Sequence, residues 1–404
     1  MASYWYYLDR SKSILKKLSN GPKNHFFGYY GINPWDLTQT YHLALETDFH
    51  HYVPKPNDVA KIGLIDRRTG SFTTISTTSA FNLQQGSMTH WINSDWGEEL
   101  THNDWEGDQL VSRAISLETK KCRTIQAAIA AVSPCMSYAI GLNFARMSVC
   151  RPVIGYANSI APESWEKIPN NDGLSFINLK DGSANLIISI REVIDQSNLA
   201  ISQCGLTWFN HVMVNPSGTR IFFFCRSRLA KQTKESGFVT SLWTINPDGS
   251  DLQCQIPFGN KVSHFAWRDE KRMLMTTDVL GQMQFVEFTD NQGDFTPVGF
   301  GKLPSDGHAC YSPDGKWLIT DTYPDQRTRL SALLLYHLES GQLIQLGDLY
   351  AEPQFTGTIR CDLHPRWSSD SLCVTIDSVH QGDRQVYIAE LCEYDQFVKL
   401  GLSN

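Results

Sequence analysis

The sequence has no CxxC spacing among its ten cysteines, so neither a zinc ribbon nor a disulfide framework is indicated. Most of those cysteines sit singly in apolar runs, such as Cys225 in "IFFFCR" and Cys373 in "SLCVTID", and read as small buried hydrophobes. There is no apolar run of about 18 residues, which excludes a helical membrane span. The opening "MASYWYYLDRSKSILKKLSN" lacks the charged start, apolar stretch and small-residue cleavage site of a secretory leader, and a cytoplasmic location is the expectation. Charged residues are scarce at 19%, and the net charge is −7. Phosphate binding calls for a basic surface, so nucleic acid is not the expected partner. P-loop, dinucleotide-binding and nucleophile-elbow motifs are likewise missing.

What is present is repetition. "GHACYSPDGKWLITDT" places His308 four residues before Ser312-Pro313-Asp314-Gly315, with Asp321 six residues after that glycine. The same frame recurs at His90, His211, His264 and His364, and in degenerate form at Tyr29 and Ile129. Seven copies at intervals near 50 residues point to propeller blades. Between copies, short β-rich runs alternate with Asp-, Gly-, Ser- and Pro-rich turns, while helical periodicity is nearly absent apart from a short helix expected in the first 20 residues. The expected fold is all-β: a seven-bladed β-propeller of four-stranded antiparallel blades. Residues 1–24 form an N-terminal segment, and 25–404 form one propeller domain with an insertion around 144–172.

In such a blade the second strand runs back antiparallel to the first, so the position six after the glycine returns to the rim of the key histidine. One rim is therefore expected to gather His90, His211, His264, His308 and His364, with His102, Asn103, Arg226, Asp321 and Asp377 nearby. A repeated histidine can simply bond a neighbouring aspartate and brace its blade. Convergence of five imidazoles is also what a site needs. In "RCDLHPRW", Cys361 and His364 lie three apart; with His308 and His264 they make a candidate divalent-metal set, zinc being favoured by the thiolate, with manganese or calcium as alternatives. Arg226 and Arg228 follow "IFFF", and Arg146 and Arg151 lie in the insertion with Tyr156. Arginine clamps carboxylate or sulfate through a planar fork.

"GHACYSPDGKW" resembles the TolB-like propeller repeat. Together with "HFFGYYGINPWD" and "RCDLHPRW", the histidine-bearing strand starts resemble the seven-bladed propeller polysaccharide lyases of the oligogalacturonate and ulvan lyase type. The resemblance implies β-elimination on a uronate-containing oligosaccharide. It implies His90 and His102 as the catalytic pair, His211 as the alternative base and Arg226 as the clamp on the uronate carboxylate. Arg146, Arg151, Tyr156, Asn103 and Arg228 are the expected substrate contacts, and His264, His308, Cys361 and His364 the metal ligands. The family's ligand run, Gln-x-x-His-x-His, is replaced here by Cys-Asp-Leu-His-Pro-Arg. The alternative function is a non-catalytic propeller that binds an acidic glycan or a protein partner, in surface-polysaccharide metabolism.

Overall fold

The computed structural model describes residues 15–95, 97–159, 165–230, 237–278 and 281–391. They form seven four-stranded antiparallel sheets, the arrangement of a seven-bladed β-propeller. Six sheets run in simple sequence order. The first takes Asn24–Phe26, Tyr41–Thr47, Ala60–Asp66 and Phe72–Thr78; the sixth takes Cys310–Tyr311, Trp317–Asp321, Leu330–His337 and Leu343–Tyr350. The seventh is different. Its inner strands Arg366–Trp367, Cys373–Ser378 and Gln385–Glu390 are completed by Leu15–Lys17, which pairs with Gln385–Glu390 through Leu15↔Ala389 and Lys17↔Tyr387. The segment expected to carry a helix thus supplies an outer strand at 15–17; residues 1–14 lie outside the described residues.

The described residues group into two compact units. One comprises the described parts of 1–53, 59–77 and 299–404; the other comprises those of 54–58 and 78–298. Each unit has its own apolar clusters. In the first, Ile319, Leu333, Leu335, Val374, Ile376 and Tyr387 pack between the sixth and seventh sheets. In the second, Phe222, Phe224, Phe265, Met273, Met275 and Val286 pack between the fourth and fifth. Alternation along each strand sends every second side chain into these layers.

The expected insertion falls between Tyr138–Gly141 and Gly173–Asn178 of the third sheet. It contains the helix Phe144–Cys150, capped by the Asn143 side chain on the Arg146 N–H. A second interruption, unread in the sequence, is the helix Ile190–Asp195, closed by a reciprocal Ser189–Glu192 capping box.

Candidate active site and metal centre

The turn Ser312–Gly315 aims the site in the first unit. Gly315 adopts φ +71 and its N–H bonds the Ser312 carbonyl, while the Ser312 hydroxyl accepts from the Trp317 N–H. The strand Trp317–Asp321 then runs back and delivers Asp321 to Gly307. A Cβ on Gly307 would stand 2.1 Å from the Asp321 carbonyl oxygen, so only glycine lets the chain pass this closely. The next residue's N–H consequently bonds Asp321 Oδ1 at 2.8 Å, and the His308 Nδ1 lies 3.0 Å from both carboxylate oxygens.

Asp321 also reaches the neighbouring blade. Its Oδ2 accepts the N–H of His364 at 3.2 Å. One carboxylate thereby holds the His308 ring and the His364 backbone, and the two ring centroids are 4.2 Å apart and edge-to-face. His364 sits at φ +45, a left-handed conformation that costs on the order of 1 kcal/mol for a non-glycine residue. Burial, the largest influence on His308, opposes its charging. The Asp321 charge and hydrogen bond, with Asp362 and Asp306, outweigh it and raise the imidazole above its ordinary value.

Asp362 completes the group. Donor atoms of His308, Asp362 and His364 all lie within 4.8 Å of one another, and all three residues are buried. Cys361 is not a member. The run 360–364 alternates: Cys361 packs with Ala351, Phe355 and Val379, and Leu363 enters the core of the sixth and seventh sheets. Arg360, Asp362 and His364 take the other side. Burial pushes the Cys361 thiol up to about 12, the reverse of what a thiolate ligand requires. His264 lies in the second unit, on the strand Val262–Trp267, with Nδ1 3.1 Å from the Ser263 hydroxyl. The set brought together is therefore two imidazoles and a carboxylate, and the sulfur that favoured zinc is absent from it. Imidazole plus carboxylate accommodates divalent metals across the N/O range, and the Asp321 bond to His308 Nδ1 leaves Nε2 as the nitrogen to offer.

Aromatic rings and one arginine wall this group. Tyr30 lies 5.1 Å from the His308 ring and stacks on His364 at 5.9 Å; Tyr29 meets His364 edge-on. Tyr323, 37% exposed, approaches His308 at 5.6 Å. Arg360 holds Asp362 through two hydrogen bonds, one of 2.7 Å, and its guanidinium covers the Tyr323 ring at 4.7 Å. Asp377 repeats the Asp321 device one blade on: it accepts the N–H groups of Phe27 and Gly28 and pairs with Arg366 at 2.8 Å, both side chains being fully buried.

The second unit places its candidates in a less charged setting. His90 starts the strand His90–Ser94, its Nδ1 2.8 Å from the Met88 carbonyl, and burial lowers its pKa to about 4. His102 is buried on Gly97–Glu106, its Nδ1 3.0 Å from the Asn103 carbonyl, and burial lowers it too. Asn103 fills the slot that Asp321 fills in the sixth sheet. Its Oδ1 accepts the Ile129 N–H and the Ser112 hydroxyl, and its Nδ2 donates to the Ile129 carbonyl and the Tyr156 hydroxyl. Tyr156 is buried against Phe144, which raises its phenol above the ordinary range. These two expected substrate contacts thus bond each other inside the scaffold. Arg146 is similarly engaged, with Asp172 at 2.6 Å and the carbonyls of Thr207 and Glu166.

Three other arginines do gather. The guanidinium groups of Arg151 and Arg226 lie 5.2 and 5.0 Å from the Phe238 ring, and Arg228 donates to the Cys150 carbonyl beside Arg151. His211, half-buried at φ +52, occupies a strand irregularity between Asn210 and Met213 and meets Phe224 and Phe265 edge-on.

With this geometry in hand, the similar solved structures are informative. An oligogalacturonate lyase from Vibrio parahaemolyticus superposes with a TM-score of 0.62 over 94% of each chain, at 13% identity. An oligogalacturonate lyase in complex with manganese gives 0.63, also at 13% identity, over 94% of this chain and 93% of that one. The chain shares its fold with oligogalacturonate lyases. No protein-family model and no curated protein matches the sequence. Among the described residues no helix is long and apolar enough to cross a membrane.

Of the site, sequence reasoning passed over Asp362, Tyr323 and Phe238. Asp362 carried a signal: in an extended run it shares a side with His364, whereas Cys361 does not. Tyr323 and Phe238 are single aromatics whose roles arise only from the packing of arginines on them.

Proposed function

We propose that the chain is a polysaccharide-lyase-like enzyme that cleaves a uronate-containing oligosaccharide by β-elimination, with His308, Asp362 and His364 holding a divalent metal. The observation that carries this reading is the convergence of those three donors, set by Asp321, on the fold of the oligogalacturonate lyases. The manganese in one of those structures is a property of that protein and supports a divalent ion here. When bound, such an ion supplies positive charge against the substrate carboxylate, which acidifies the adjacent C–H.

The rest falls to the side chains. Asp321 fixes the His308 imidazole and the backbone of His364. Arg360, held by Asp362, presents the outer side of its guanidinium for a second carboxylate contact. Tyr30, fully buried, packs on both imidazoles. Proton removal falls to a base of the same unit, and Tyr323, 37% exposed and 5.6 Å from the His308 ring, is the side chain placed for it. The proton on the carbon beside the carboxylate passes to the base, its electron pair forms the ring double bond, and the glycosidic C–O bond breaks with the electrons leaving on oxygen.

A second reading, a non-catalytic propeller that binds an acidic glycan or a protein partner, draws on Asn103, Tyr156 and Arg146, whose polar atoms bond the scaffold. A panel of uronic-acid oligosaccharides, followed by the ultraviolet absorbance of unsaturated uronate with and without added manganese, zinc or calcium, separates the two. The lyase reading expects a metal-dependent signal that Asp362→Asn abolishes. No signal from any member with any metal, alongside measurable binding, would favour the second.

A further inference from the structure

The second unit contains a pocket of about 690 Å³ that the site above does not use. It lies between the second and third sheets, at their hairpin-turn ends. Asn93, Ser94 and Asp95 line one wall; Ser94 ends the strand that His90 begins. Met136, Phe176 and Lys180 line the other. Its floor is built. Arg123 crosses between the sheets, donating to the Leu179 carbonyl at 2.8 Å and to Glu99 at 2.9 Å. Glu99 is fully buried, and its second oxygen has no hydrogen-bond partner among the described residues.

The walls are complementary in chemistry. Asp95 and Lys180 face one cleft, and neither has an ion-pair partner among the described residues. Phe176 is half-buried, with one side against the Tyr138 ring at 5.0 Å, and with Met136 it gives the cleft an apolar surface. A carboxylate and amides to accept and donate to hydroxyls, an apolar patch for a ring's C–H face, and a lysine ammonium for a carboxylate are the groups that a sugar acid would engage.

We propose that this pocket is a second, non-catalytic binding site for a single uronic-acid unit. The sugar carboxylate meets Lys180, the hydroxyls meet Asn93 and Asp95, and the ring lies on Phe176 and Met136. The choice of sugar acid over another small carboxylate rests on the proposed function, but the test does not. Free galacturonate has no glycosidic bond to eliminate, so its binding is independent of lyase activity.

Met136 provides the reporter. In protein carrying methyl-labelled methionine, with its signal assigned by Met136→Leu, galacturonate is expected to move the Met136 resonance saturably. Galactose, which lacks the carboxylate, is expected to require at least about tenfold more, and Lys180→Glu is expected to impose a similar weakening for galacturonate. Lys180 is exposed on a turn, so that variant keeps the fold. An unmoved Met136 signal, an equal response to galactose, or an unchanged response in Lys180→Glu would each overturn the proposal. So would an equal response to acetate, which carries the charge without the ring and hydroxyls.

Discussion

The same slot in the blade is filled differently in the two units. In the sixth and seventh sheets it is an aspartate, Asp321 or Asp377; in the second sheet it is Asn103. All three clasp the backbone of the following blade: Asp321 takes the His364 N–H, Asp377 takes those of Phe27 and Gly28, and Asn103 brackets Ile129 from both sides. The clasp is scaffold. The charge is an addition. Where the slot is a buried carboxylate it attracts cations, as in the raised His308 and the fully buried Arg366. Where it is an amide, the nearby His90 and His102 are held neutral by burial. One change of side-chain chemistry, O⁻ for NH₂, separates a neutral brace from a charged one.

The largest expected effect comes from removing the clasp that also carries charge. Asp321→Ala leaves His308 and the His364 N–H without their acceptor, and a loss of about 4 kcal/mol is expected in denaturant unfolding, together with loss of the metal binding proposed above. If Asp321→Ala unfolds like the parent, the clasp is not structural. Next is the exchange of chemistry in the opposite direction. Asn103→Asp deletes the two donors that satisfy the Ile129 carbonyl and the Tyr156 hydroxyl and buries a charge with no cation. A cost of about 3 kcal/mol is expected, largest at neutral pH and smaller in acid, where the carboxyl is protonated.

The Arg366–Asp377 pair sharpens the comparison further. Nε and Nη1 of Arg366 are buried with no hydrogen-bond partner among the described residues, so the pair is incompletely satisfied. Arg366→Met alone strands the Asp377 carboxylate and is expected to cost about 3 kcal/mol, whereas Arg366→Met with Asp377→Asn is expected to cost less than the single change. Additive losses across that double-mutant cycle would mean the two charges do not depend on each other.

Much of this was legible beforehand, and the limits have physical causes. Seven repeats of a turn and a returning strand, five of them led by a histidine, specified the sheets, because turn chemistry and strand alternation are local. The pairing of His308 with Asp321 followed from antiparallel geometry, and the structure gives it at 3.0 Å. The link from Asp321 onward to His364 was hidden because it joins residues 43 positions apart in different sheets. Choosing Cys361 over Asp362 weighed donor softness and neglected alternation, which turns Cys361 into the apolar layer with Phe355. The closing strand Leu15–Lys17 is three residues long and pairs with the opposite end of the chain, so nothing local announced it.

The smallest effect expected distinguishes the two units by the sign of their pH dependence. His90 has a folded pKa near 4 against the ordinary 6.5, so the unfolded chain takes up its proton first and stability falls as pH drops from 6.5 toward 4. Once both values are passed, the loss is on the order of 2 kcal/mol, after allowing for relaxation of the buried site. His308 does the opposite in metal-free protein. Its folded value is raised, so its contribution is complete below pH 6.5 and fades as pH rises through the folded value. His90→Gln should therefore flatten the acid limb of a stability–pH curve, and His308→Gln should flatten the limb on the neutral side. Unfolding midpoints measured across that range for the parent and the two variants decide it. Curves in which both variants change the same limb would show that the clasp's charge does not reach the histidines, and the contrast between aspartate and asparagine slots would lose its meaning.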